Sequence, residues 1–127
     1  MESTINKGVK ERTIFFMECH LAGRMYHEAT EVGDQLRIGT EVKLVREPDN
    51  RYDPNAIQVV FVENCLEGQI EHVLGYIPDS DNSDLAILFD MGWEDIFECR
   101  ISKISPEQHY ENQIRLTIKI RRKIKKF

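Results

Sequence analysis

The sequence predicts a single, mainly β domain: a small, partly closed barrel of about six strands with one or two short helices. Three observations carry this reading. Short stretches rich in β-branched and aromatic residues, many alternating apolar with polar, recur from Thr13 to Ile120. Turn-forming clusters of Pro, Gly, Asn and Asp separate them. At 127 residues the chain suits one domain with one modest core. That many strands must hide their edges, and curling the sheet on itself does so. Residues 1–11 read as a flexible leader, 12–120 as the barrel domain and 121–127 as a basic tail.

In chain order, "RTIFFMECHLAG" opens with a strand whose Phe15, Met17, Cys19 and Leu21 share one face, and Gly23 ends it. "MYHEATEVGDQL" suits a short helix broken near Gly33. Gly39 turns the chain into a second strand, where Val42 and Leu44 alternate with Glu41 and Lys43. "AIQVVFVE" is the strongest strand, β-branched on both faces and therefore central. "NCLEGQIEHV" reads as a hairpin loop, and "LGYIP" as a short return strand stopped by Pro78. "DSDNSDLAILFDMG" is the clear helix, with Asp81 or Ser83 as its cap, Leu85, Leu88 and Phe89 on its apolar side, and Gly92 closing it. "IFECRISKI" resumes the alternation through Phe97, Cys99 and Ile101; "SPEQHYENQ" is a polar loop. The last strand carries Ile114, Leu116, Ile118 and Ile120 on one face and Arg115, Thr117 and Lys119 on the other.

Composition narrows the function classes. Hydrophobic residues make up 41% and charged residues 31%, which excludes a disordered or membrane-embedded chain. No apolar run approaches the ~20 residues of a membrane span. The polar start "MESTINKGVKER" has no apolar signal core, so the expected location is the cytoplasm or nucleus, or the nucleoid in a bacterium. Cys19, Cys65 and Cys99 are odd in number and unpaired in spacing, and read as small buried hydrophobes. Ten of the 17 Lys and Arg and all 22 acids precede Arg115, so residues 1–114 carry −12 and residues 115–127 carry +7. Such a tail either contacts nucleic acid or an anionic surface, or is a solvated end that guards the terminal strand.

Catalytic patterns are missing. There is no phosphate loop, dinucleotide fingerprint, nucleophile elbow or H-E-x-x-H. Cys19 beside His20 lacks the four-donor pattern of zinc. His72 reads as a proton shuttle or as a surface or edge histidine. The acidic run "PDSDNSD" reads as a hard-cation site or as favourable charge at a helix start. The expectation is a protein without enzymatic activity, cofactor or metal.

The informative stretch is "REPDNRYDPNAIQVV", Arg46–Val60. Pro54 holds Asp53 extended, so Tyr52 and Asp53 sit on a stiffened segment at the mouth of a strand. The ring offers a stacking face and the carboxylate accepts hydrogen bonds, which suits a base and a sugar hydroxyl. Equally, Asp53 caps the amide of Asn55 or Ala56, and Tyr52 covers the barrel rim. Both readings stand on these residues alone.

The string "LVREPDNRYDPNAIQVV", the later "LGYIP", the helix with Gly92 and the upstream "AGRMYH" resemble the HIRAN domain, over about Thr13 to Ile120. That domain occurs at the amino end of certain SWI/SNF-type DNA translocases and as small free-standing bacterial proteins. The resemblance implies a modified OB-like β-barrel that captures the 3′-hydroxyl end of single-stranded DNA by stacking tyrosines and an aspartate. It places Tyr52 and Asp53 in those roles, Tyr26 as a second stacking ring, and Tyr110 as an aromatic lining the same pocket. Met25 replaces a basic residue of the family, with Arg24 one step away. Tyr76 stands where the family has a histidine, and Asp79 replaces a pocket lysine. That loss of a phosphate partner predicts weaker binding or a different end structure; Arg46 and Arg51 are the cations in the motif able to compensate. The resulting expectation is a DNA-binding module for single-stranded 3′ ends in DNA repair or processing, with DNA and other DNA-processing proteins as partners. The competing expectations are a protein-interaction module and, less favoured, a magnesium-dependent nuclease using Asp53.

Overall fold

The computed structural model describes residues 12–23, 32–108 and 113–123. The leader 1–11, most of the helix expected before Gly33, the tip of the last loop and the end of the basic tail lie outside them. Six strands are β1 (Thr13–His20), β2 (Glu41–Arg46), β3 (Ile57–Cys65), β4 (Gly68–Tyr76), β5 (Phe97–Ile104) and β6 (Ile114–Arg121). One helix, α1 (Ser83–Asp90), and the single 3₁₀ turns Gly33–Gln35 and Glu94–Ile96 complete the described elements.

All strand pairs are antiparallel, in the order β1-β6-β5-β2-β3-β4. The two edge strands meet at one corner. Ala22, just past β1, exchanges two backbone hydrogen bonds with Tyr76 at the end of β4, at 2.9 and 2.8 Å. The sheet is thus curled and fastened at one point, consistent with a small OB-like barrel. Gly75 permits this approach, because a Cβ there would run into the Ala22 carbonyl oxygen and the Leu21 side chain. The core gathers the inward residues of every strand, among them Leu21, Ile57, Val59, Leu74, Leu116 and Ile118. From α1, Leu85 and Ala86 are fully buried.

Several expectations hold. β3 is paired on both sides over Gln58–Val60, as its two apolar faces require. Phe97, Cys99 and Ile101 of β5 and Ile114, Leu116 and Ile118 of β6 point inward. Gly92 closes α1 in the left-handed region, φ 92°.

Four details differ. In β1, Phe15 is exposed rather than inward, because a bulge at Phe16 shifts the register: Phe15 faces Lys119 while Met17 faces Ile118. Phe16 takes the inward place against Phe97, ring centroids 5.7 Å apart. The expected loop at 64–73 is mostly strand, since β3 runs to Cys65 and β4 resumes at Gly68 around a two-residue turn. Cys65, near that turn, is therefore exposed, unlike Cys19 and Cys99. The residue preceding α1 is Asn82, not Asp81 or Ser83, and its side chain makes no cap bond to the helix.

Candidate nucleic-acid interface

The connection from β2 to β3 is held by side chains rather than by a sheet. Asn50 Oδ1 accepts the backbone N–H groups of Tyr52 (2.8 Å) and Asp53 (2.9 Å). Asp53 Oδ1 accepts the N–H of Asn55 at 2.9 Å, and the Asp53 carbonyl accepts that of Ala56 at 3.1 Å. These side-chain turns are what Asn and Asp make where a proline interrupts regular structure. Asn50 is itself anchored, its amide donating to Glu47 Oε1 at 2.9 Å. That oxygen also accepts the Tyr76 hydroxyl at 2.8 Å, and Gln58 donates to Glu47 Oε2 at 3.2 Å. Burial, then the bond to Glu47, pushes the Tyr76 phenol above its ordinary pKa, which keeps it a donor.

The braced loop leaves Tyr52 90% exposed, an unusual position for a large ring. Asp53 is half-buried, and its Oδ2 accepts the Asn82 amide at 2.8 Å. Each carboxylate oxygen has one such bond and a remaining lone pair. Both residues line a cleft of about 440 Å³, together with Tyr76, His20, Gly23 and Asp79. The cleft lies over the corner where the bridge between Ala22 and Tyr76 fastens the barrel. Its side chains offer one exposed ring, two carboxylates and one histidine.

Tyr52, Asp53 and Tyr76 are thus brought together, with Asp79 beside them. Arg51 is exposed on the same loop but is not a lining residue. Arg46 is committed elsewhere. Its guanidinium pairs with both oxygens of Asp90 (3.0 and 3.1 Å) and with the Ala56 carbonyl (3.1 Å), tying β2 to the end of α1. Arg24, Tyr26 and Tyr110 lie outside the described residues. Sequence reasoning missed His20, Asn50 and Asn82. His20 leaves a faint signal, lying on the opposite side of β1 from Cys19; Asn50 reads only as a turn former, and Asn82 stands between the two cap candidates Asp81 and Ser83.

A larger hollow, about 670 Å³, lies under the β3–β4 arm. It carries Glu41, Glu71 and Glu94 against Lys43, which is already paired with Glu71 at 3.2 Å. That balance disfavours a nucleic-acid strand.

A family model of the HIRAN domain matches residues 14–123. This chain belongs to the HIRAN domain family. HIRAN domains are DNA-binding modules rather than catalytic ones. Over 92 residues this HIRAN chain is 32% identical to the Fanconi-associated nuclease 1 homolog of Oryza sativa subsp. japonica. The match covers 72% of this chain and 8% of that protein, so the chain spans under a tenth of that relative. Among solved structures, a protein from Lactobacillus plantarum superposes with a TM-score of 0.70 at 24% identity, covering 89% of this chain and 99% of that one. The HIRAN domain of human HLTF superposes with a TM-score of 0.58 at 20% identity, covering 86% and 78%. Both superpositions show a shared fold. Among the described residues no helix is long and apolar enough to cross a membrane.

Proposed function

We propose that this HIRAN domain is a non-catalytic module that holds the 3′-hydroxyl end of a single DNA strand, in DNA repair or processing. The terminal base stacks on Tyr52, and the terminal hydroxyl donates to the Asp53 carboxylate. The supporting observation is the pairing of a fully presented ring with a fixed carboxylate in one cleft. A rigid loop pre-organises the contact, so little ordering cost falls on binding. The second carboxylate, Asp79, supports the choice of end chemistry. Two acidic groups repel a terminal phosphate and tolerate a neutral hydroxyl that donates a hydrogen bond. Tyr26, Tyr110, Arg24 and Arg51 belong to this reading as further stacking and phosphate contacts; Arg46 acts through the framework.

The test is a fluorescence titration of short single strands carrying either a free or a phosphorylated 3′ end. The free end is expected to bind more tightly. Equal affinities remove the hydroxyl-reading role. An absence of binding to either, with partner proteins retained by a Tyr52 and Asp53 double variant, supports a protein-interaction module instead.

A further inference from the structure

The far end of the β1–β6 ladder carries three arginines around one hollow. Arg12, Arg121 and Arg122 line a cavity of about 340 Å³ whose floor is Ile14 and Ile120. The backbone gathers them: Thr13 faces Arg121 in register, and the Arg122 N–H donates to the Arg12 carbonyl at 3.1 Å. The arginines within β2, β5 and the start of β6 all have acidic partners. Arg46 is paired with Asp90, Arg100 with Glu98 and Glu41, and Arg115 with Glu18. Arg12, Arg121 and Arg122 have no carboxylate within ion-pair distance among the described residues. Arg121 is further marked by a buried Nε with no hydrogen-bond partner, while its Nη2 reaches the Phe97 carbonyl at 3.4 Å. Guanidinium groups with no acid in ion-pair contact, of which Arg121 acts on Glu98 only at longer range, suit a multidentate oxyanion.

We infer that Arg12, Arg121 and Arg122 form a phosphate subsite for the body of the DNA strand whose end occupies the cleft. Two arguments select this occupant. The first is charge: the chain carries −5 overall, so a strand needs a local cationic foothold. The second is continuity. His20, in the cleft, is linked through β1 to Thr13, seven residues away and opposite Arg121. At roughly 3.3 Å per residue, the separation is about 20–25 Å, the rise of about six or seven nucleotides when stacked as in a duplex at ~3.4 Å each, and fewer when the strand is extended.

The inference rests on the end-binding reading, and the experiment separates the two. Single strands of about four and about twelve nucleotides are titrated across ~50–200 mM salt against the unaltered protein, Arg12→Gln/Arg122→Gln and Arg12→Lys/Arg122→Lys. Both arginines are exposed, so the variants are expected to melt as the parent does. The longer strand is expected to bind the parent on the order of tenfold more tightly, with a steeper salt dependence. The Gln variant should keep the affinity for the short strand and lose most of the gain from length, its salt slope falling by about 1.4, or ~0.7 for each of two phosphates. The Lys variant should retain the slope. An unchanged slope and length gain in the Gln variant overturns the subsite, whatever the short strand does. Loss of discrimination between hydroxyl and phosphate ends, with the arginine dependence intact, overturns the cleft reading alone.

Discussion

Asn82 donates its side-chain amide to Asp53 Oδ2 across 2.8 Å, joining the start of α1 to the loop that precedes β3. Asn82 is 1% exposed, stands at the cap position and bonds no helix amide with its side chain. A good capping residue is thus used to fix a carboxylate at the cleft. Asn82→Ala removes a buried hydrogen bond to an ionised group and is expected to destabilise the fold by ~1–3 kcal/mol. It should also weaken DNA-end binding by freeing the Asp53 carboxylate. Denaturant midpoints and the end titration, run together, separate the two effects.

Tyr52→Ala is expected to do the reverse. The ring is 90% exposed, so stability should stay within ~0.5 kcal/mol of the parent. Binding of a single strand should weaken by ~1–3 kcal/mol through lost stacking. Tyr52→Phe keeps the stacking face and should retain affinity. A Phe variant as weak as the Ala variant would assign the effect to the hydroxyl rather than to the ring.

Gly75→Ala tests the corner that positions the cleft. The added methyl meets the Ala22 carbonyl oxygen, which is backbone and cannot swing aside, and Leu21, which is core. The expected cost is ~1–3 kcal/mol of strain. Amide exchange at Ala22 and Tyr76 should quicken, since their mutual hydrogen bonds are what the methyl pushes apart.

Much of this barrel was legible because period-two alternation is a strong signal when one face is buried. β6 shows it plainly, with Ile114, Leu116 and Ile118 all inward. β1 defeated it at Phe15, because a one-residue bulge reverses the parity and nothing in "TIFFMECH" marks Phe16 as the extra residue. The strand ends on either side of Leu66–Glu67 escaped notice because polar residues run through "NCLEGQIEHV", which reads as loop. At the candidate site, Tyr52 and Asp53 were found from local stiffness and from the family motif. Asn82 and His20 were not, since their roles arise from contacts 29 residues away and from the barrel corner, which no local pattern encodes.

The cysteines give a chemical check on burial. Burial pushes the Cys19 thiol up to about 12 and raises the Cys99 thiol further, so neither forms thiolate near neutral pH. Cys65 is exposed beside the β3–β4 turn, its Sγ 3.3 Å from the Gly68 carbonyl. Iodoacetamide is expected to label the native protein once, at Cys65, and the unfolded protein at all three cysteines. Peptide mapping reads the outcome, and rapid native labelling of Cys99 would contradict the packing of β5.

The β3–β4 arm predicts a pH dependence. Glu63 accepts hydrogen bonds from His72 Nε2 at 2.8 Å and from the Gln35 amide at 3.1 Å. His72 is nearly buried on β4, its ring stacked on Phe61 at 6.4 Å. These bonds, that from His72 foremost, hold the Glu63 carboxyl below its ordinary pKa. A carboxyl depressed in the folded state stabilises the fold above its unfolded pKa, ~4.3, and that contribution disappears as pH falls through the folded value. Glu63→Gln is therefore expected to be less stable than the parent near neutral pH. The difference should shrink as pH falls from about 5 towards about 2, because protonation then removes the same charge from the parent. Thermal melts of both proteins over that range measure it. A gap that stays constant to the acid end would mean that the charge on Glu63 contributes nothing and that the arm is held by packing alone.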